Sequence, residues 1–141
     1  MNYRIIELPT RTTDGLGSLS FIEAGKDAPF QINRIYYIFD VPKGAVRGGH
    51  AHKQLRQLLF CPNGSIEILL TDGVKKASIL LDRPNKALVI EPGLWRDMIW
   101  HTDKAVLCVA ASEHYDEKDY IRNYDSFLEY KRQLEGEIRN D

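Results

Sequence analysis

The sequence predicts an all-β fold, a sandwich or closed barrel, finished by one C-terminal α-helix. Three observations predict it. Short apolar segments recur at roughly 8–12-residue spacing as far as Ser112. Turn-forming Gly, Pro, Asn and Asp residues separate them, with no helical pattern between, so the βαβ alternation of a doubly wound domain is excluded. After Ser112 the apolar period changes from strand-like to helical.

Tyr3 to Leu8 and Gly17 to Glu23 open the strand series on either side of Thr13-Asp-Gly15. Arg34 to Val41 is rich in aromatic and β-branched residues, which suit a pleated surface. Pro42-Lys-Gly44 ends it. Gln54 to Cys61 carries Leu58-Leu-Phe60, then Ser65 to Thr71 and Lys76 to Leu81 follow. Asn63-Gly64 and Asp72-Gly73 mark tight turns there, because both residue types tolerate positive φ. Ala87 to Ile90 lies between Arg83-Pro-Asn85 and Pro92-Gly93, and Met98 to His101 and Ala105 to Ser112 complete the series. Asp116-Glu-Lys-Asp119 then suits a helix start, where carboxylates meet the positive end of the dipole. Ile121, Tyr124, Phe127, Leu128 and Leu134 continue at helical spacing. The expectation is one domain over residues 1–141: a barrel over about 1–115, a helix over about 117–135 laid on it, and a frayed 135–141.

Composition narrows the function. The 141 residues are 43% hydrophobic and 28% charged, with a net charge of −1. That balance gives no support for binding nucleic acid or an anionic membrane. No apolar run approaches the ~18 residues of a membrane span, and the N-terminus has no apolar signal region. Cys61 and Cys108 sit in apolar strands and read as reduced thiols. The reading is a cytoplasmic protein.

The chemistry concentrates in Gly44-Ala-Val-Arg-Gly-Gly-His-Ala-His-Lys-Gln54. On a strand, His50 and His52 share one face, because side chains alternate with period 2. Two imidazoles on one face suit metal binding or proton transfer near neutral pH. The fuller spacing is Gly44, five residues, His50-x-His52, four residues, Gln57, six residues, Gly64. Downstream stands Pro92-Gly-Leu-Trp-Arg96. Gln57 is a poor ligand for a transition metal, and the guanidinium of Arg96 cannot be one. His101 lies too far past Pro92 to replace it. The site therefore reads as metal-free, built to move protons beside a polar or anionic ligand. Arg34, Arg47 and Arg96 suit a diphosphate, which guanidinium groups clasp bidentately, and Trp95 suits stacking on a base or sugar. Of Tyr36 and Tyr37, one must face in and the other out.

The spacing from Gly44 to Gly64 resembles the first motif of the cupin superfamily, a small jelly-roll β-barrel. Pro92-Gly-Leu-Trp-Arg96 resembles the second, with Arg where a His is usual. Together with Arg34-Ile-Tyr-Tyr-Ile-Phe-Asp40 and Ser112-Glu-His-Tyr-Asp-Glu-Lys-Asp-Tyr-Ile-Arg122, these segments resemble the cupin nucleotide-sugar 3,4-ketoisomerases over nearly the whole chain. That family acts on dTDP-4-keto-6-deoxyglucose, on the bacterial route to 3-amino-3,6-dideoxyhexoses of surface glycans. The resemblance implies a homodimer with no metal and no organic cofactor.

It also implies roles. A ketone at C4 acidifies the C3 proton, so isomerisation needs a base, a stabilised enediolate and a proton delivered to C4. His50 is expected as the base, with His52 relaying or orienting. Tyr37 is expected to handle protons at the sugar oxygens, although one step of strand register would put Tyr36 there instead. Arg96 is expected beside the oxyanion, and Arg34, Arg47 and Trp95 on the nucleotide and diphosphate. Some members have His at the position of Arg96 and Arg at that of Leu16, both expected near the sugar. Arg96 leans towards the gluco-configured product, whereas Leu16 matches neither subgroup. Two other readings stand beside this one: a metal-free nucleotide-sugar 3,5-epimerase, and a non-catalytic cupin that binds a nucleotide sugar.

Overall fold

The computed structural model describes residues 1–140. In chain order the strands are β1 (Tyr3–Glu7), β2 (Thr10–Thr13), β3 (Gly17–Ser20), β4 (Arg34–Ile38), β5 (Val46–His52), β6 (Gln57–Asn63), β7 (Ile66–Thr71), β8 (Lys76–Leu81), β9 (Lys86–Ile90), β10 (Trp95–Trp100), β11 (Val106–Ala111) and β12 (Tyr120–Ile121). The helix α1 (Tyr124–Asn140) closes the series. Two five-stranded antiparallel sheets form, in the orders β1-β9-β6-β11-β4 and β12-β5-β10-β7-β8. Sequential strands often lie in different sheets, as a jelly roll requires.

The inner faces of both sheets supply the core. Leu59, Ile66, Ile68, Leu88, Ile90, Trp100 and Leu107 are all buried there. Each such side chain contributes about 1.5–3 kcal/mol by leaving water. The indole Nε1 of Trp100 donates to the Ala105 carbonyl at 3.0 Å, so its polar atom is satisfied too.

The two Gly turns differ in what they join. Asp72-Gly73 closes a true hairpin between β7 and β8, where Asp72 Oδ1 accepts from the amides of Val74 and Lys75 at 2.8 and 2.7 Å. Asn63-Gly64 instead hands the chain from one sheet to the other. Gly64 sits at φ +90°, and a Cβ there would stand 2.6 Å from the Ala105 Cβ, so only glycine fits.

The helix starts later than the sequence predicts. Asp116 caps a single 3₁₀ turn over Glu117–Asp119, and Tyr120–Ile121 then pair with β5. That pairing takes up the backbone groups a helix would have used, and the acidic residues face other partners. The helix proper begins after Asn123, whose side chain accepts from the Ser126 amide at 2.9 Å. It continues past residue 135 to Asn140, and Asp141 lies outside the described residues. Phe127 packs with Ala51, Trp95 and Ile121 on the outer face of the second sheet.

The outer face of the first sheet is half covered. Ala28 and Phe30 lie over Leu58, Val89 and Ala110. The edge strand β4 leaves Ile35 and Tyr37 bare, with Phe39 beyond its end. Cys61 and Cys108 are both free thiols. Among the described residues, no helix is long and apolar enough to cross a membrane.

Candidate active site

The histidine pair stands on β5 as its strand spacing requires. His52 is wholly buried, His50 nearly so, and the rings meet edge-on with centroids 4.9 Å apart. The Gly-Gly before them has a defined purpose. Arg96 on β10 faces His50, and Asp97 faces Gly48, so Gly49 is the extra residue of a β-bulge. The bulge puts Arg47 and His50, three residues apart, on the same cavity wall. Gly48, at φ +97°, lets β5 approach β10 so closely that a Cβ would lie 2.9 Å from the Arg96 carbonyl.

Arg96 projects inward beneath the histidines and is almost fully buried. One guanidinium nitrogen, Nη1, donates to Gln57 Oε1, and Nη2 donates to the Leu94 carbonyl at 3.0 Å. Its Nε has no hydrogen-bond partner among the described residues. Burial pulls its pKa down to about 10, which still leaves it a cation at neutral pH. Gln57 Nε2 in turn donates to the Tyr36 hydroxyl at 2.8 Å. The oxygen of Tyr36 is thereby used as an acceptor, and its proton is free to be donated into the cavity.

Burial and the Arg96 charge hold both imidazoles neutral. Desolvation, then Arg96, bring His50 down to about 4. The same two causes, in the same order, depress His52 further. The Asp119 carboxylate, 3.0 Å from His52 Nδ1, offers an acceptor for a ring N–H there. A neutral ring donating Nδ1–H to Asp119 satisfies both influences.

The cavity has two lobes that share Arg34 and Tyr120. The smaller, about 270 Å³, is lined by Arg34, Tyr36, Arg47, His50, Tyr120 and Arg122 among others. The larger, about 620 Å³, is lined by Arg34, His52, Glu113, Asp116, Asp119 and Tyr120 among others. Charge separates them: three guanidiniums border the smaller and three carboxylates the larger. Tyr120 touches both imidazoles, with ring centroids 5.3 Å from His50 and 4.4 Å from His52. Arg122 lies over the Tyr120 ring at 4.1 Å and is held bidentately by Glu117 at 2.6 and 2.9 Å.

The structure thus brings together His50, His52, Arg34, Arg47 and Arg96. It separates two expected residues from them. Tyr37 points outward and is 62% exposed, while Tyr36 faces the cavity. The register is one step from that expected, and Tyr36 takes the place given to Tyr37. Trp95 is the second correction. Side chains alternate along β10, so with Arg96 inward Trp95 must face out. It packs under α1, with ring centroids 5.3 Å from Tyr124 and 5.7 Å from Phe127. Leu16, expected near the sugar, is 84% exposed at the β2–β3 turn and lines neither lobe. His101 pairs with Glu67 at 2.8 Å on the surface, also outside the cavity.

Sequence reasoning missed Asp119, Tyr120 and Arg122 as site residues, although it singled out their segment. The acidic run and helical spacing predict helix there, whereas the backbone is strand-like and 3₁₀, which changes the face they present. By residue type and spacing Gln57 stands only in a metal-ligand slot. Its hydrogen bonds show it instead as the link between Arg96 and Tyr36.

Comparison with known proteins gives the family. Residues 1–132 match the family described as FdtA: WxcM-like, C-terminal. A curated relative from Aneurinibacillus thermoaerophilus, TDP-4-oxo-6-deoxy-alpha-D-glucose-3,4-oxoisomerase, is 47% identical over 117 residues, 83% of this chain and 84% of its own. A solved 3,4-ketoisomerase from Helicobacter canadensis superposes with a TM-score of 0.90 at 45% identity, covering 94% of this chain and 98% of that one. QdtA, a sugar 3,4-ketoisomerase from Thermoanaerobacterium thermosaccharolyticum solved with TDP, gives a TM-score of 0.90 at 43% identity, covering 94% and 96%. With a cupin-type jelly roll, a paired-histidine cavity and these relatives, the chain belongs to the FdtA family and is a 3,4-ketoisomerase.

Proposed function

We propose that this enzyme converts TDP-4-keto-6-deoxy-D-glucose into the TDP-3-keto-6-deoxyhexose, through an enediolate. The observation that carries the reading is a fixed, buried cation, Arg96, beneath two neutral imidazoles in a cavity rimmed by guanidiniums. Such an unpaired cation is costly in a resting fold, by several kcal/mol. It becomes favourable when a substrate develops negative charge beside it.

The steps follow from the groups present. His50 removes the C3 proton as general base. The electron pair moves into the C3–C4 bond, and the C4 oxygen takes up charge facing Arg96. Tyr36, donating its free hydroxyl proton, supports the sugar oxygens. A proton delivered to carbon C4 and passage of the C3 hydroxyl proton to the C4 oxygen then leave a ketone at C3 and a hydroxyl at C4. Arg34, Arg47 and Arg122 hold the diphosphate at the smaller lobe, since carboxylates line the larger one. Binding there orients the sugar over the histidines. Arg96 leads us to the gluco configuration at C4 of the product.

Incubation with the 4-keto sugar in deuterated buffer, followed by NMR, tests this. A 3-keto product with one solvent deuteron at C4 is expected. Exchange at C3 and C5 with the ketone still at C4 would instead mean an epimerase. An unchanged sugar would mean a binding protein.

Catalysis without a metal is part of the same reading, because Gln57 and Arg96 bond to each other where ligands would stand. Prolonged EDTA treatment is expected to leave turnover within a few per cent of the untreated enzyme. Loss on chelation, with recovery on adding one divalent metal, would reverse that conclusion.

The working form is a homodimer in the cytoplasm, where two free thiols persist. The expected interface is the outer face of β4, since Ile35, Tyr37 and Phe39 form an exposed apolar patch on a sheet edge. The N-terminal strand β1 is the other edge of the same sheet, next to β9. Light scattering is expected to give twice the 16.2 kDa chain mass at micromolar concentration. Tyr37→Glu is expected to shift it to the monomer, and an unaffected dimer would place the interface elsewhere.

A further inference from the structure

We propose that Asp119 is a positioning residue: it fixes His52 as the Nδ1–H tautomer and leaves the Nε2 lone pair as a proton acceptor inside the site. The kinetic part of this inference rests on the reaction proposed above; the tautomer does not. His52 has no exposed surface. Its Nδ1 lies 3.0 Å from Asp119 Oδ2, while its Nε2 is buried with no hydrogen-bond partner among the described residues. A carboxylate can only accept, so the ring proton must sit on Nδ1. The opposite nitrogen is then a bare lone pair, enclosed by the rings of His50 and Tyr120. A histidine kept only for structure would have both nitrogens satisfied.

Asp119 is itself held rigidly. Its Oδ1 accepts from the Gln54 amide at 2.6 Å, and Oδ2 also accepts from the Leu55 amide at 3.2 Å. Its carbonyl accepts from the Lys53 amide at 3.1 Å. Three successive amides after His52 therefore grip one residue 67 positions away. The adjoining Tyr120 pairs with His52 itself, so the same short segment sets the ring's tautomer and its tilt.

Long-range ¹H–¹⁵N NMR of the free protein at pH 7 reads the tautomer directly. His52 is expected to carry its proton on Nδ1, and a proton on Nε2 would overturn the proposal at once. Asp119→Asn supplies the kinetic arm. With the amide oxygen kept on the Gln54 N–H, the shorter of the two backbone contacts, the NH₂ gives up the Leu55 N–H and donates to His52 Nδ1. The His52 proton should move to Nε2. We expect kcat to fall about 10²–10³-fold with KM within about threefold, less than the roughly 10⁴-fold seen for the same change in a catalytic triad. Asp119→Glu retains the acceptor and should keep the Nδ1–H tautomer and recover at least a tenth of kcat. A flipped tautomer with kcat unchanged would overturn the proposal, as would a lost melting temperature with tautomer and kcat per folded molecule unchanged. If Asp119→Asn does not fold, the wild-type tautomer and Asp119→Glu decide. If the wild type turns over no 4-keto sugar, the reaction assignment falls, and the tautomer measurement still stands on its own.

Discussion

Replacing His50 with Asn is expected to lower kcat by about 10²–10⁴-fold, the scale of losing a general base. Affinity for TDP should stay within a few-fold, because Arg34, Arg47 and Arg122 are untouched. Asparagine keeps a hydrogen-bonding side chain of similar reach but cannot take up a proton at neutral pH. His52→Asn should also reduce kcat, less severely if that ring relays protons rather than starting the reaction. The comparison is informative because the two rings touch. An active His50→Asn beside a dead His52→Asn would exchange their roles. Full activity in both would mean that the pair is structural. The wild-type pH profile adds a check with a definite sign. Only neutral imidazole can accept the C3 proton, so activity is lost as pH falls through the His50 pKa. In the free enzyme that value is about 4, and kcat/KM should keep its plateau well below pH 6.5. A bound diphosphate offsets the guanidiniums that depress the ring. The acid limb of kcat should therefore lie higher than that of kcat/KM.

Arg96→Met should be the second large loss, with a different signature. At about 4 Å and an effective dielectric of ~20, a cation stabilises an oxyanion by roughly 4 kcal/mol. Each 1.36 kcal/mol is tenfold in rate, so a kcat loss of about 10²–10³-fold is expected once partial compensation by Tyr36 is allowed for. Methionine fills similar volume without charge. Removing a buried, incompletely paired cation relieves desolvation, while Gln57 Oε1 loses its donor. These effects oppose each other, and the melting temperature should shift by only a few degrees. The charge also depresses His50, second only to burial. Its removal should move the acid limb of kcat/KM upward, towards 6.5. A variant with wild-type kcat and an unmoved acid limb would show that Arg96 only supports the wall beneath the histidines.

The features legible in the chain alone are tied to local chemistry and short periods. Period-2 alternation and Asn-Gly and Asp-Gly turns predicted the strands, and His50-x-His52 placed two imidazoles on one face without knowledge of the partner strand. Gln57 and Arg96 argued against a metal site by residue type alone. Everything that depends on register required the folded molecule. Tyr36 and Tyr37 both fit strand geometry, and only the pairing of β4 with β11 turned Tyr36 inward. Arg96 and Trp95 are neighbours that cannot share a face, and the pairing of β10 between β5 and β7 assigned the charge to the cavity and the indole to α1. Asp119 is the clearest case. Its acidic run carries a good helix-start signal, since carboxylates favour the first turn. The amides of Lys53, Gln54 and Leu55, made available where β5 ends, compete for the same residue and win. Those partners are more than 60 residues away along the chain, so no local pattern could reveal that this carboxylate belongs to His52.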